Sequence, residues 1–156
     1  MQIIETSPTD AQAAPLLEAL SQILYTKVGS SGQASFRDWQ ESDPSHVFVV
    51  LFNENEAVGC GAIRPIMSQV AELKRMYAKH SRKGIGEAIL RYLEAKAQAL
   101  GYTQIWLETR KINTQACRFY ERNNYAVIEN YGQYVGNNNA VCFGKRIDDL
   151  VSEKEL

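Results

Sequence analysis

The sequence predicts an α/β domain built on a single mixed sheet, and three observations predict it. An extended apolar segment, Val70 to Ala78, passes through Gly84-Ile85-Gly86 into an amphipathic helix and then a second extended segment, the order of a parallel strand-helix-strand unit. Upstream, Val47 to Phe52 and Ala57 to Arg64 flank the turn Asn53-Glu54-Asn55 and read as an antiparallel β-hairpin. Finally, 156 residues with 45% hydrophobic content can bury one sizeable core and are too few for two ordinary domains, so residues 1–156 are expected to form one.

Taken in order, Gln2 to Thr6 is a short strand, ended by Ser7-Pro8-Thr9-Asp10. That tetrad reads as a helix start: Ser7 caps, proline suits the first helical position, and Asp10 favours the dipole. The helix carries Ala13, Leu16, Leu17, Leu20 and Leu24 on one stripe until Val28-Gly29-Ser30-Ser31-Gly32 breaks it. A shorter helix is expected over Ala34 to Glu41, before the turn Asp43-Pro44-Ser45 and the hairpin. The helix after the glycines shows Ile85, Ile89, Leu93, Ala97 and Leu100 on one face, with Glu87 and Arg91 expected to pair on another and Gly101 as a left-handed stop. Thr103 to Thr109 is the next strand. A further helix starts at Asn113, whose amide can cap it, and Val141 to Lys145 closes the sheet. Asp148 to Leu156 reads as a polar tail.

Charge and composition narrow the partners. Lys and Arg number 17 against 18 Asp and Glu, so no global field recruits nucleic acid or anionic membrane. No apolar segment is long enough to span a bilayer, and no basic region followed by an apolar run opens the chain. Cys60, Cys117 and Cys142 are odd in number and lie in apolar segments, which reads as reduced core residues of a cytoplasmic protein. No metal is expected, because His46 and His80 stand alone and no Cys-x-x-Cys pair is present.

The run Arg82-Lys83-Gly84-Ile85-Gly86-Glu87 carries the chemistry. Glycines at a strand-to-helix junction let an anion approach the main chain, and the first helical turn adds unpaired N–H donors and the positive dipole end. Lys83, with Ser81 or Arg82, adds charge or hydroxyl donors to the same pocket. The spacing is neither that of a P-loop nor that of the three-glycine dinucleotide fingerprint.

These glycines, with Ala71-Glu72-Leu73-Lys74-Arg75-Met76-Tyr77 before them and Ile105-Trp106-Leu107-Glu108-Thr109, Asn113, Ala116 and Phe119-Tyr120-Glu121-Arg122-Asn123-Asn124-Tyr125 after them, resemble the GNAT superfamily, the Gcn5-related N-acetyltransferases. Val141 to Lys145 is similar to that family's closing strand. The resemblance implies a mixed central sheet of about six to seven strands flanked by about four helices. It further implies that the two parallel strands splay and that the pantetheine arm of acetyl-CoA enters the gap like a missing strand. The cofactor site it implies comprises Met76, Tyr77, Ala78, Ser81, Arg82, Lys83, Gly84, Ile85, Gly86, Glu87, Asn113, Ala116 and Tyr120. The chain departs from the family pattern in two places. Asn124 stands where glycine is usual, a mild change because asparagine tolerates the left-handed region. Only five residues separate Ala78 from Gly84, about two fewer than in the family: either the strand ends near Ala78 and the loop is shortened, which puts Ser81, beside Arg82, at the family's Arg or Gln position, or the strand register slips back toward Met76.

The reaction implied is attack of a neutral primary amine on the acetyl thioester. A bulge near Tyr77 and Ala78 would expose oxyanion donors. Tyr120, with an ordinary pKa of about 10, suits the acid that protonates the departing sulfur. Glu72, on one strand face with Lys74, is the first choice for the base, and Glu108 the second. The acceptor wall implied by the family holds Phe36, Arg37, Trp39, Tyr131 and Tyr134, which suits a small-molecule amine, amino-acid-like if the arginine binds a carboxylate. Homodimers are common in the family. The alternative reading is a non-catalytic acyl-CoA-binding or protein-interaction module on the same fold.

Overall fold

The computed structural model describes residues 1–28, 46–79 and 84–148, with 23–28 as backbone. The helix expected over 34–41, the turn at 43–45 and the tail beyond Asp148 lie outside the described residues. The elements are β1 (Gln2–Thr6), α1 (Ala14–Val28), β2 (Val47–Asn53), β3 (Glu56–Met67), β4 (Val70–Ala78), α2 (Ile85–Ala99), β5 (Gln104–Arg110), α3 (Thr114–Arg122), β6 (Ala126–Ile128), a 3₁₀ turn (Gly132–Tyr134) and β7 (Ala140–Arg146). One mixed sheet of seven strands runs β1-β2-β3-β4-β5-β7-β6. Among the described strands only β4 and β5 are parallel, as the strand-helix-strand order requires. The described residues hold three α-helices, slightly fewer than expected. None is long and apolar enough to cross a membrane.

The sheet is covered on both faces, which explains the continuous apolar run of β2. Val47, Val49 and Leu51 join the core beneath α2 and α3, while Phe48 and Val50 meet Ala13 and Leu16 on the α1 side. Glycines in β3 let α2 lie close. A Cβ on Gly59 would come within 2.7 Å of Ile85 and Ile89, and one on Gly61 within 2.6 Å of Met76 and 2.8 Å of Ile89.

Local signals placed most boundaries, although β3 runs on to Met67, three residues past the expected Arg64. Helix α1 starts at Ala14, well after Ser7, because the polar tetrad spends its side chains on turns: Ser7 Oγ accepts from Thr9 N at 3.1 Å and Asp10 Oδ1 from Gln12 N at 2.8 Å. The α2 stripe buries Ile85, Ile89, Leu93 and Ala97 but leaves Leu100 exposed at the C-cap, before Gly101 turns left-handed at φ 96°. Arg91 also departs from its expected pairing with Glu87. It donates to Glu94 Oε1 and Asn123 Oδ1, each at 2.6 Å. Glu94, 1% exposed, further accepts from Tyr125 at 2.9 Å and Lys145 at 3.1 Å. This buried carboxylate thereby ties α2 to the end of α3 and to β7, with its lone pairs satisfied.

Candidate active site

A gap in the sheet organises the site. β4 and β5 pair only through Val70–Gln104, Ala71–Ile105 and Glu72–Trp106, after which β5 continues against β7 and the rest of β4 has no strand partner on that side among the described residues. Within β4, Arg75 and Met76 together oppose Gly61, since Cys60 pairs with Tyr77 and Ala62 with Lys74. That is a β-bulge, centred on Arg75 at φ 56°. It falls earlier than expected, at Arg75 and Met76 rather than near Tyr77 and Ala78, because Arg75 is anchored elsewhere: its guanidinium donates to Leu17 O at 3.0 Å and Ser21 Oγ at 3.2 Å. Beyond the bulge, Lys79 N donates to Val58 O on the β3 side. Strand alternation therefore turns the Ala78 and Met76 amides into the gap and the Tyr77 amide away from it. Met76 and Ala78 pack on the α2 side, Tyr77 on the α1 side.

The open end of the gap leads to the start of α2. Gly84 caps the helix at φ 72°, ψ 14°, a left-handed conformation that disfavours any side chain. The first intrahelical donor recorded is Ala88 N, to Gly84 O at 3.0 Å, so the amides of Ile85, Gly86 and Glu87 precede the helical ladder. Space at Gly84 is open, a Cβ meeting only Glu87 Oε2 at 3.8 Å. Gly86 has a different reason for being glycine. A Cβ there would press the Phe119 ring at 3.1 Å, so its missing side chain serves the α2–α3 contact. Ser81, Arg82 and Lys83 lie outside the described residues.

Helix α3 flanks the gap from the same face. Asn113 caps it as expected, Oδ1 accepting from Ala116 N at 3.2 Å. Asn124, at φ 72°, makes the left-handed stop in place of glycine. Tyr120 is buried, its ring 5.1 Å from Phe119, 5.7 Å from Tyr125 and 6.2 Å from Phe143 between centroids. Burial raises its phenol well above the ordinary value, so it stays protonated at neutral pH.

On the opposite face, where β4 and β5 still touch, a cavity of about 490 Å³ is lined by Arg64, Glu72, Lys74, Tyr131, Tyr134 and their neighbours. Glu72 is 3% exposed and fully engaged: Arg64 Nε lies 3.1 Å and Lys74 Nζ 3.4 Å from Oε1, and Tyr131 donates to Oε2 at 2.5 Å. Arg64 faces Glu72 in the β3–β4 register, a cross-strand pair visible once those segments are read as neighbours. Tyr131 also stacks near Trp106 at 5.2 Å and Tyr134 at 5.5 Å. Asn130 holds the loop that carries both tyrosines, its amide donating to Tyr134 O, Asn137 O and Ala140 O between 3.1 and 3.4 Å. Of the expected acceptor wall, Tyr131 and Tyr134 line this cavity, whereas Phe36, Arg37 and Trp39 lie outside the described residues.

Glu108 is the carboxylate of this face without a full set of donors. On β5 it shares the face of Trp106, just past the last β4–β5 pair. Its Oε2 is buried with no hydrogen-bond partner among the described residues, and Arg110 Nε stands 3.9 Å away. Burial, above all, raises its carboxyl above the ordinary range, against the opposing charges of Arg110 and Lys74. Among the described residues no group of His, Cys, Asp and Glu has the arrangement of a metal site.

Residues 14–125 match the model of the acetyltransferase (GNAT) family. The chain belongs to this family. Within it, an uncharacterized N-acetyltransferase of Bacillus subtilis is 28% identical over 108 residues, covering 67% of this chain and 72% of that one. A Klebsiella pneumoniae protein described as an acyl-CoA N-acyltransferase superposes with a TM-score of 0.79 at 28% identity, over 94% and 97% of the two chains. An aminoglycoside 6'-N-acetyltransferase complexed with coenzyme A shares the fold, with a TM-score of 0.69 and 18% identity over 94% and 97%. As a GNAT member the chain is an acetyl-CoA-dependent acetyltransferase. Among the described residues, the β4–β5 gap and the α2 amides that precede the helical ladder suit that cosubstrate: a strand edge for an amide-bearing arm, and a donor-rich helix end for its phosphates.

Proposed function

We propose that this GNAT enzyme transfers the acetyl group of acetyl-CoA to the primary amine of a small molecule by direct attack. The observation that carries the reading is the gap itself, which starts at Glu72 beside the cavity and ends at Ala78, toward the α2 N-terminus. In this reading the amides of Ile85, Gly86 and Glu87 hold the pyrophosphate around Gly84, joined by Ser81, Arg82 and Lys83. The β4 edge, with Asn113 and Ala116 across from it, holds the pantetheine arm. Bound acetyl-CoA supplies a thioester carbonyl to the amine. The Met76 and Ala78 amides stabilise charge on the carbonyl oxygen. As the N–C bond forms and the C–S bond breaks, a carboxylate takes the amine proton and Tyr120 gives one to the sulfur.

Of the two carboxylates, Glu108 is better suited to the base. Both oxygens of Glu72 already accept from donors, whereas Glu108 has an unpartnered oxygen and a raised affinity for protons. Glu72 then acts by holding Tyr131 and Arg64. The aminoglycoside acetyltransferase of the same fold, which acts on a small-molecule amine, supports the acceptor class. Buried free thiols at Cys60 and Cys142 suit a reducing compartment such as the cytoplasm.

Tyr120→Phe tests the chemistry. It keeps the ring packing, so acetyl-CoA should bind as before by calorimetry while thiol release falls by roughly 10²-fold. Turnover at the wild-type rate under conditions where chemistry limits removes Tyr120 from catalysis. Heat of acetyl-CoA binding with no thiol release from the wild type, across a broad amine panel, would instead favour the non-catalytic module.

A further inference from the structure

The acceptor cavity is electrically unbalanced. Arg64 and Lys74 approach the same oxygen of Glu72, so one carboxylate serves two cations and a phenol as well. Among the described residues that line the cavity, Arg64 and Lys74 stand against Glu72 alone. Lys74 is nearly sealed from solvent, its side chain 9% exposed, so water does little to dilute the excess. With Arg64 29% exposed the surplus is only partly buried, and an anionic ligand that displaces water from this cavity would neutralise it.

Arg64 is shaped to receive that ligand. Its Nε is committed to Glu72, which fixes the plane of the guanidinium, and its Nη groups make no hydrogen bond among the described residues. The side chain lines the cavity and is 29% exposed. A guanidinium oriented in this way offers paired N–H donors to a carboxylate. Next to it the cavity wall turns apolar, through Pro65, Ile66 and Met67.

We propose that the acceptor is an amino acid with an apolar side chain, its carboxylate held by Arg64 and Lys74 and its amine directed to Glu108. The proposal rests on the acetyltransferase reading and narrows its substrate. Such a zwitterion matches the site end for end: the anion cancels the surplus charge, and the ammonium meets the carboxylate that lacks donors. Glu72 is then the residue that presents Arg64, and Arg64 a specificity-determining residue.

The test pairs α-, β- and γ-amino acids, phenylalanine and leucine among them, with the amines that lack the carboxylate, using thiol release as the readout. The best amino acid should exceed its partner in kcat/KM by roughly 10- to 100-fold, the scale of a hydrogen bond to a charged group. In Arg64→Met the ratio should fall toward one with the KM for acetyl-CoA held, and Arg64→Lys should restore part of it. Carboxylate-free amines used as well as amino acids by the wild type would overturn the proposal, as would a preference that survives Arg64→Met. Calorimetry with 3-phenylpropionate on the coenzyme A-loaded protein covers the case in which no amine reacts, which would sink the acceptor chemistry alone. Binding that is lost in Arg64→Met then supports the carboxylate site, and no binding to the wild type overturns it.

Discussion

Glu72 and Glu108 lie on one face of adjacent strands, yet their surroundings assign them opposite tasks. Glu72 accepts from Arg64 and Tyr131 beside Lys74, and a carboxylate so supplied is a fixed charge. Glu108 keeps one buried oxygen without a donor, and burial raises its carboxyl. The linkage has a definite sign. The unfolded chain releases this proton at the ordinary carboxylate value and the folded chain at a higher one, so folding weakens as pH rises through that window and the loss is complete above it. Glu108→Gln carries no such proton. Its thermal midpoint should exceed the wild type's at pH 8, the gap closing below the ordinary carboxylate range, while thiol release falls by roughly 10²-fold. Identical midpoints across pH would mean that the Glu108 charge is not held at a cost. The sequence revealed Asn113 as a cap because capping is local, but not the choice between these glutamates, which depends on Arg64 and Tyr131 reaching Glu72 from β3 and the β6–β7 loop.

Among the elements, α2 shows how one sequence motif can hold two separate requirements. Gly84 is needed for its positive φ and Gly86 for the room it leaves to Phe119. Gly84→Ala should cost about 1–2 kcal/mol by forcing an L-residue left-handed. Gly86→Ala should cost stability through the Phe119 ring instead, so Phe119→Leu added to it should recover part of the loss, whereas the same change added to Gly84→Ala should only add to the damage. A double-mutant cycle in urea measures both. Simple additivity for the Gly86 pair would show that the α2–α3 contact is not what excludes a side chain. Strands β2, β4 and β5 and helices α2 and α3 were legible because period, cap and stop agree. β6 was not: its three residues, with Val127 two-thirds exposed, carry no alternation to read. Nor was the exact place of the bulge, expected near Tyr77 and Ala78, since an arginine at positive φ has no signature in sequence and is held there by Leu17 O and Ser21 Oγ, 58 and 54 positions away.

At the scale of the molecule, the sheet is two half-sheets, β1 to β4 and β5 to β7, joined by three residue pairs at one end and by helices that bridge the rest. Family membership and the mixed sheet were legible because the motifs that specify them sit at this junction. The Glu94 network, which braces α2 against β7 across the division, was not, because its partners Tyr125 and Lys145 are 31 and 51 positions away. The half-open junction also has a consequence for how the chain breathes. Along the outer part of β4 the amides facing β3 are locked in a ladder, while those facing the gap have no strand partner among the described residues. Deuterium should therefore enter β4 unevenly, quickly at Ala78 and Met76 and slowly at Tyr77 and Lys79, a comb of alternating rates within one strand. Saturating coenzyme A should slow the fast teeth and leave the slow ones nearly unchanged, as amide-resolved exchange by NMR would record. If all four amides exchange alike with and without coenzyme A, the pantetheine arm does not run along β4.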